Sequence, residues 1–186
     1  YQRAMAVEPA VQQAGSDQML QRSTALVSDA KKAGRWQALF TEEQINGWLA
    51  VDLVQNHSNA LPPTISDPRL SIEPDRVTLA CRVRQGRWHS VLSLTIDVYL
   101  SAPDTVALRF RKARAGTMPL PLDSLLAQAA ESARRARWRV NWSQSDGDPV
   151  ALLPLQPVDK NHATLNIDTL SLRKGEIYVA GTTKRR

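Results

Sequence analysis

The middle of the chain alternates apolar and polar residues over four successive segments. Every second residue in these segments is apolar, which is the pattern of a strand with one buried and one solvated face. Turn residues separate the segments at Pro74-Asp75, at Gln85-Gly86 and at Ala102-Pro103-Asp104. The pattern therefore predicts a four-stranded antiparallel meander. Its apolar positions are Leu70, Ile72, Val77, Leu79, Cys81, Val83, Leu92, Leu94, Ile96, Val98, Leu100, Val106, Leu108 and Phe110.

Two helices are predicted before the meander. Thr41 and Gln44 predict the start of the second helix, because they are spaced as a capping box, and Phe40 and Ile45 occupy the hydrophobic staple positions. This helix is expected to end near Asn56 and to bury a face made of Ile45, Trp48, Leu49 and Leu53. The first helix is predicted over residues 9–33, with a rough core-facing stripe of Val11, Ala14, Leu20, Val27 and Ala30.

The last third of the chain combines a helix with short strands. Residues 118–121 interrupt the meander, and a helix is predicted from there through about Arg137. A short strand over 138–142, a turn at 146–149 and a short edge strand over 151–155 follow. The apolar side of the helix consists of Leu122, Leu125, Leu126, Ala129, Ala130 and Ala133.

A final hairpin is predicted over residues 162–182. Leu165 and Ile167 are out of phase with Leu170 and Leu172, and a bulge near Asp168–Thr169 would bring them onto one face. Helices and antiparallel strands are thus segregated along the chain, which predicts an α+β fold, with the meander and the hairpin packed on two or three helices. Residues 1–37 are assigned to a leader and helix that follow a removed anchor or signal, and residues 38–186 to one domain.

Composition is that of an ordinary globular chain with a basic bias. Its 186 residues are 42% hydrophobic and 23% charged, and the net charge of +6 favours acidic partners such as phospholipid head groups, nucleic acid or anionic wall polymers. An alternative interpretation is a solvated sheet edge and a helix end whose cations complement the helix dipole. The candidate membrane- or anion-facing residues are Arg109, Arg111, Arg134, Arg135 and Arg137.

Catalytic and metal-binding patterns are weak in this sequence. The three histidines lack metal-ligand spacing to one another, and Asp146 and Asp148 flank Gly147 as in a turn rather than in a calcium loop. Cys81 alternates with Leu79 and Val83 and is predicted to be a core residue. We therefore predict no catalytic residues, no metal and no cofactor.

Three motifs carry a family resemblance. They are the helix opening Phe40-Thr41-Glu42-Glu43-Gln44-Ile45-Asn46, the segment Gly116-Thr117-Met118-Pro119-Leu120-Pro121, and a closing hairpin from Leu165-Asn166-Ile167-Asp168 to Ile177-Tyr178-Val179. Together they resemble the YpmS-like family of small membrane-anchored bacterial proteins of unknown function. The likeness covers residues 38–182, and the chain departs from the family in its arginine content and long leading helix.

More distantly, the layout is similar to the tubular lipid-binding folds related to bactericidal/permeability-increasing protein. That resemblance implies a curved antiparallel sheet that wraps a helix and leaves an apolar groove. The YpmS-like resemblance, through its N-terminal membrane anchor, implies an extracytoplasmic location with a tether before the N-terminus.

The leading functional hypothesis is a non-catalytic binding module for lipid or another apolar ligand. The basic residues would hold it near an anionic membrane surface, at about 1 kcal/mol for each cation. The alternatives are a structural or protein-interaction domain of the cell envelope and, third, nucleic-acid binding through the basic face. The candidate lining residues, which would equally serve as core, are Leu79, Val83, Leu94, Ile96, Val98, Leu108, Phe110, Leu125 and Leu126.

Overall fold

The structure is a computed structural model that describes residues 1–57, 61–102, 104–135, 139–154 and 163–185. It confirms the α+β class. The helices of the described residues are α1 (Gln2–Met5), α2 (Pro9–Ala30), α3 (Glu42–Ala50), α4 (Asp52–Asn56) and α5 (Leu122–Arg135). The strands are β1 (Gly34–Thr41), β2 (Ile65–Glu73), β3 (Arg76–Gln85), β4 (Trp88–Ala102), β5 (Thr105–Ala115), β6 (Met118–Leu120), β7 (Asn141–Ser145), β8 (Asp148–Pro154), β9 (Ala163–Arg173) and β10 (Glu176–Arg185).

The strands form two open antiparallel sheets. The larger has the order β2-β3-β4-β5-β8-β7, with β6 paired to β5, and it contains the predicted meander as β2 to β5. The smaller has the order β1-β10-β9, so the predicted C-terminal hairpin lies in a separate sheet. Its third strand, β1, is not predicted by the sequence pattern, and the boundary between residues 37 and 38 falls inside it.

A bulge in β9 confirms the predicted change of phase in the last hairpin. Ala180 on β10 is paired with Thr169, whereas the next residue, Gly181, is paired with Ile167. Asp168 is therefore the extra residue, and its insertion returns the apolar side chains of β9 to one face.

Two short strands differ from their predicted positions. The strand expected over 138–142 begins at Asn141 as β7, and residue 138 lies outside the described part. The short strand predicted at a sheet edge over residues 151–155 corresponds to β8, which lies inside the sheet between β5 and β7. The turn joining them is confirmed, and Asp146 (φ 49°) and Gly147 (φ 85°) both adopt the positive φ of a type I′ hairpin turn.

Helix α3 starts as predicted. The backbone N–H of Gln44 donates to Thr41 Oγ1 at 3.3 Å, and Gln44 Oε1 accepts from the backbone N–H of Thr41 at 3.1 Å. These two hydrogen bonds complete the capping box. The single predicted helix is broken at Val51, and α4 continues it to the expected end at Asn56.

The apolar stripe predicted for α2 is wrong at most of its positions. Val11, Leu20 and Val27 are exposed, whereas Ala30 is buried. The face of α2 turned inward consists mainly of small or polar residues: Gln12, Gly15, Ser16, Met19, Ser23, Leu26 and Ala30. Small residues there allow α2 to lie close against α3, and this packing outweighs the burial of larger side chains.

Helix α3 also covers the outer edge of β2. The side-chain amide of Asn46 donates to the carbonyl oxygen of Leu70 and accepts from its N–H, both at 2.8 Å. Glu42 Oε2 accepts from the backbone N–H of Ile72 at 2.8 Å. An edge strand exposes backbone groups that invite pairing with another chain, and these side chains satisfy them instead.

The two sheets meet at the turn between β9 and β10. Gly175 N–H donates to the carbonyl oxygen of Ile72 at 2.9 Å, and the carbonyl oxygen of Gly175 accepts from Glu42 N–H at 2.8 Å. Ile72 and Leu172 are both buried beside this junction. Within the described part of the chain, no helix is both long and apolar enough to cross a membrane.

Candidate functional site

One face of the larger sheet carries the apolar positions that the alternation predicts. Leu70 on β2 lies opposite Leu79 on β3, and Leu79 lies opposite Leu94 on β4. Directly opposed residues on neighbouring strands point to the same face. The pairs Val77–Ile96 and Val98–Leu108 continue the same surface, hereafter the apolar face, toward β5.

Helix α5 covers the β5 end of the apolar face. Leu126 is buried in a cluster with Phe110 of β5 and Ala151 of β8. The half-buried residues that pack around this cluster are Leu94, Ile96, Leu108, Leu122 and Val140.

The apolar face is less completely covered at β3. Leu79 occupies the middle of β3, yet 36% of its surface is exposed, and its cross-strand partners Leu70 and Leu94 are only half-buried. A central leucine on the inner face of a fully closed two-layer fold would be buried, as Ile72 is at 1%. Between β2 and β4, therefore, part of this face remains open to solvent.

The nine candidate lining residues are covered to different degrees. Leu94, Ile96, Leu108, Phe110 and Leu126 belong to the cluster beneath α5. Val98 is half-buried opposite Leu108, and Leu125 is half-buried on α5. The remaining two, Leu79 and Val83, lie on β3, where Leu79 adjoins the cluster through its cross-strand partner Leu94 and is more exposed than the residues beneath α5.

Val83 lines a cavity of about 660 Å³ at the ends of β3 and β4. Arg82, Arg84 and His89 lie around the same cavity, and Arg84 is directly paired with His89 in the strand register. Arg82 approaches Asp67 at 3.4 Å, whereas the exposed Arg84 adds positive charge at the rim. None of these three residues is among those predicted from the sequence, although the alternation along β3 places Arg82 and Arg84 together on the polar face.

The arginines selected from β5 are engaged with carboxylates. Arg109 Nη2 lies 2.7 Å from Asp148 Oδ2, and Arg109 Nη1 lies 3.2 Å from Asp146 Oδ2. Arg111 bridges two aspartates: its Nη1 lies 2.5 Å from Asp148 Oδ2, and its Nε lies 3.4 Å from Asp97 Oδ2. Their positive charges are therefore balanced within the protein rather than offered to a membrane or another anion.

These contacts join an ion ladder across the polar face of the larger sheet. Arg76 extends it to β3, where its Nε lies 2.9 Å from Asp97 Oδ1. The hydrogen bond from Arg109 lowers the pKa of the Asp148 carboxyl, aided by the charge of Arg111, and raises the pKa of Arg109. In order, the ladder consists of Arg76, Asp97, Arg111, Asp148, Arg109 and Asp146.

The other selected arginines lie on or after α5. Arg134 forms an ion pair with Glu131 one helical turn earlier. Arg135 is the last residue of α5, where only its backbone is described, and Arg137 lies outside the described residues.

Cys81 is buried, as predicted for a core residue. Burial raises the pKa of its thiol, which keeps the sulfur protonated and poorly nucleophilic at neutral pH. In the part of the chain that the structure describes, no group of three or more His, Cys, Asp or Glu side chains is arranged to hold a metal ion.

Comparisons of this chain with family models, curated proteins and solved structures give no match.

Proposed function

We propose that this protein binds an elongated apolar ligand, such as the acyl chain of a lipid, on the open part of the apolar face. The observation that carries the proposal is the 36% exposure of Leu79 at the centre of β3, between the half-buried Leu70 and Leu94. Adjacent apolar side chains left open on a sheet face favour a ligand or partner that covers them.

The energetics of such a contact are favourable. Each buried methylene group contributes about 0.8 kcal/mol, so about ten of them would contribute about 8 kcal/mol before the entropic costs of association. Leu126 and Leu122 of α5 already pack against the neighbouring part of the same face. An acyl chain along β3 would extend this apolar contact toward Val83.

The cavity beside Val83 supports an anionic head group at one end of the ligand. Arg82, Arg84 and His89 line it, and Arg84 and His89 are exposed. An anion there would gain charge-assisted hydrogen bonds. Because Arg82 and Arg84 point to the polar face, the ligand would pass around the end of β3 at Val83 to lay its chain on the apolar face. In this proposal the protein works outside the cytoplasmic membrane beside anionic head groups, as the sequence resemblance implies, and it performs no catalysis.

The ion pairs of Arg109 and Arg111 weaken the alternative of nucleic-acid binding. Arg109 and Arg111 form part of the basic cluster on which that hypothesis rests, and both are paired with aspartates. The phosphate contacts that dominate nucleic-acid affinity require cations available to the backbone. Lipid binding therefore remains the better-supported function.

The proposal is tested with Leu79→Arg. Displacement of a dansyl-labelled fatty acid should weaken by about tenfold or more, because a guanidinium in the acyl path would have to be desolvated. Native mass spectrometry of the purified wild type should show a bound lipid that the variant has lost.

Val54→Arg is the matched control, since it places the same charge at a position of α4 that is already 56% exposed and should leave binding unchanged. Both variants should keep the wild-type far-ultraviolet circular dichroism spectrum. Lipid-free protein together with equal probe affinity in all three proteins would refute the proposal and favour an interaction domain without a ligand.

A further inference from the structure

Arg69 is a buried arginine without a close carboxylate among the described residues. Only 6% of its surface is exposed, and its Nη1 donates a hydrogen bond to the carbonyl oxygen of the adjacent Pro68 at 2.7 Å. Asp67 is engaged elsewhere, because its Oδ2 lies 3.4 Å from Arg82 and accepts from the Ser66 hydroxyl at 3.3 Å.

A guanidinium remains protonated in proteins, and burying its charge is costly unless an anion compensates. Burial also lowers the pKa of Arg69, an effect that Asp67 and Tyr1 only partly oppose. A buried guanidinium with no close carboxylate is unusual, because buried cations are normally paired.

Arg69 lines a cavity of about 230 Å³ between α1, α2, α3 and β2. Its apolar wall comes from Ala4, Val7 and Val11. Pockets for drug-sized ligands hold about 300–1,000 Å³, so this cavity suits a smaller molecule with a short apolar body.

Two glutamates also border this cavity. Glu42 lies in the first turn of α3, and its carboxylate accepts the hydrogen bond from Ile72 N–H. Glu43 is exposed, and Arg3 adds a second cation to the lining. The two arginines balance the two glutamates, and of these four charged residues Arg69 is the most deeply buried.

We propose that this cavity binds a small anionic amphiphile. Its carboxylate or phosphate accepts hydrogen bonds from Arg69, and its apolar body lies against Ala4, Val7 and Val11. This site is separate from the apolar face, because Arg69 is paired with Ala80 and so points to the opposite side of the sheet from Leu79.

The ligand class is tested by calorimetric titration of the whole chain with four six-carbon probes. Hexanoate and hexyl phosphate should bind about tenfold or more tightly than hexanol, since a hydrogen bond to a charged group contributes more than one between neutral groups. Whichever of hexanoate and hexyl phosphate binds more tightly identifies carboxylate or phosphate as the anion that the cavity prefers. Hexylamine tests the opposite charge, and tighter binding of hexylamine than of hexanoate would overturn the proposal.

Arg69→Gln should weaken hexanoate binding by about tenfold or more, because the amide lacks both the charge and the forked donors. Arg22→Gln removes the same charge from an exposed position on α2 and should leave the affinity unchanged. Equal affinities in the two variants would show that Arg69 is not the receptor.

A measurement on the wild type covers the case in which Arg69→Gln does not fold. The Arg69 Nε–H resonance should shift during hexanoate titration, and its failure to move at saturation would exclude direct contact. Leu79→Arg should retain hexanoate binding here, so that failure of this site and failure of the acyl-chain site remain distinguishable.

Discussion

Trp36 connects α2 to the smaller sheet through two buried hydrogen bonds. Its Nε1 donates to Thr183 Oγ1 at 3.1 Å, and the Thr183 hydroxyl donates to the carbonyl oxygen of Ala30 at 2.7 Å. The indole ring also lies over Gly181, where an added Cβ would be 2.3 Å from the ring and 2.2 Å from the carbonyl oxygen of Asn166. Close approach, rather than an unusual φ, therefore requires glycine at this position.

Thr183→Val tests the importance of this hydroxyl. Valine conserves the shape but leaves the buried indole N–H and the Ala30 carbonyl without their partner, so the free energy of unfolding should fall by about 1–3 kcal/mol. Urea unfolding followed by tryptophan fluorescence measures the loss.

The control is Thr182→Val, because Thr182 lies on the opposite face of the same strand and should change stability by no more than about 0.5 kcal/mol. Equal effects of the two substitutions would mean that the relay does not stabilise the fold.

At the scale of elements, the packing of α2 on α3 depends on two glycines. A Cβ on Gly47 would lie 2.6 Å from the carbonyl oxygen of Gln12 and 2.6 Å from the backbone nitrogen of Ser16. A Cβ on Gly15 would lie 2.8 Å from the carbonyl oxygen of Glu43. Since these neighbours are backbone atoms, the helices can accept a larger residue only by moving apart.

Gly47→Ala should therefore destabilise the protein, although alanine is the better helix former by about 1 kcal/mol. We expect a net loss of about 2 kcal/mol, because the steric cost of overpacking exceeds the gain in helix propensity. Thermal and urea unfolding measure this change.

Ala14→Gly provides the comparison at an exposed position of α2, where removing the methyl group should cost about 1 kcal/mol. A Gly47→Ala variant more stable than the wild type would contradict the close helix contact.

At the scale of the whole molecule, the two faces of the larger sheet are stabilised differently. The apolar face packs on α5 at one end and remains partly open at β3, whereas the polar face is crossed by the ion ladder from β3 to β8. The sheet can keep its geometry although the apolar face is partly open, because the charged pairs on the polar face also join the strands.

The ladder should contribute to stability in a pH-dependent manner through Asp148. Its folded-state pKa lies below the ordinary aspartate value of 3.8, because Arg109 and Arg111 favour the charged carboxylate. The contribution is therefore fully present above that ordinary value and is lost as the pH falls through the lower folded-state pKa. Urea unfolding should show wild type more stable than Asp148→Asn at neutral pH, with the difference shrinking in strong acid.

Asp168→Asn controls for the loss of one negative charge, because Asp168 is exposed in the β9 bulge. A difference between wild type and Asp148→Asn that stayed constant down to strong acid would argue against ionisation of Asp148 as its source.

Local sequence patterns determined much of the secondary structure. The four alternating segments became β2 to β5, the capping box began α3, and the change of phase after Ile167 became a bulge. Each depends on residues close in the chain, since strand alternation and helix caps are set by backbone geometry over a few positions.

Tertiary structure decided the features that join distant segments. The pairing of β1 with β10, the inward side of α2 and the ion partners of Arg109 depend on residues brought together from far apart in the chain. The candidate sites followed the same division. The alternation of apolar and polar residues identified the apolar face. The opening at Leu79 and the burial of Arg69, by contrast, depend on how completely other elements cover each side of the sheet. That coverage is a property of packing rather than of local sequence.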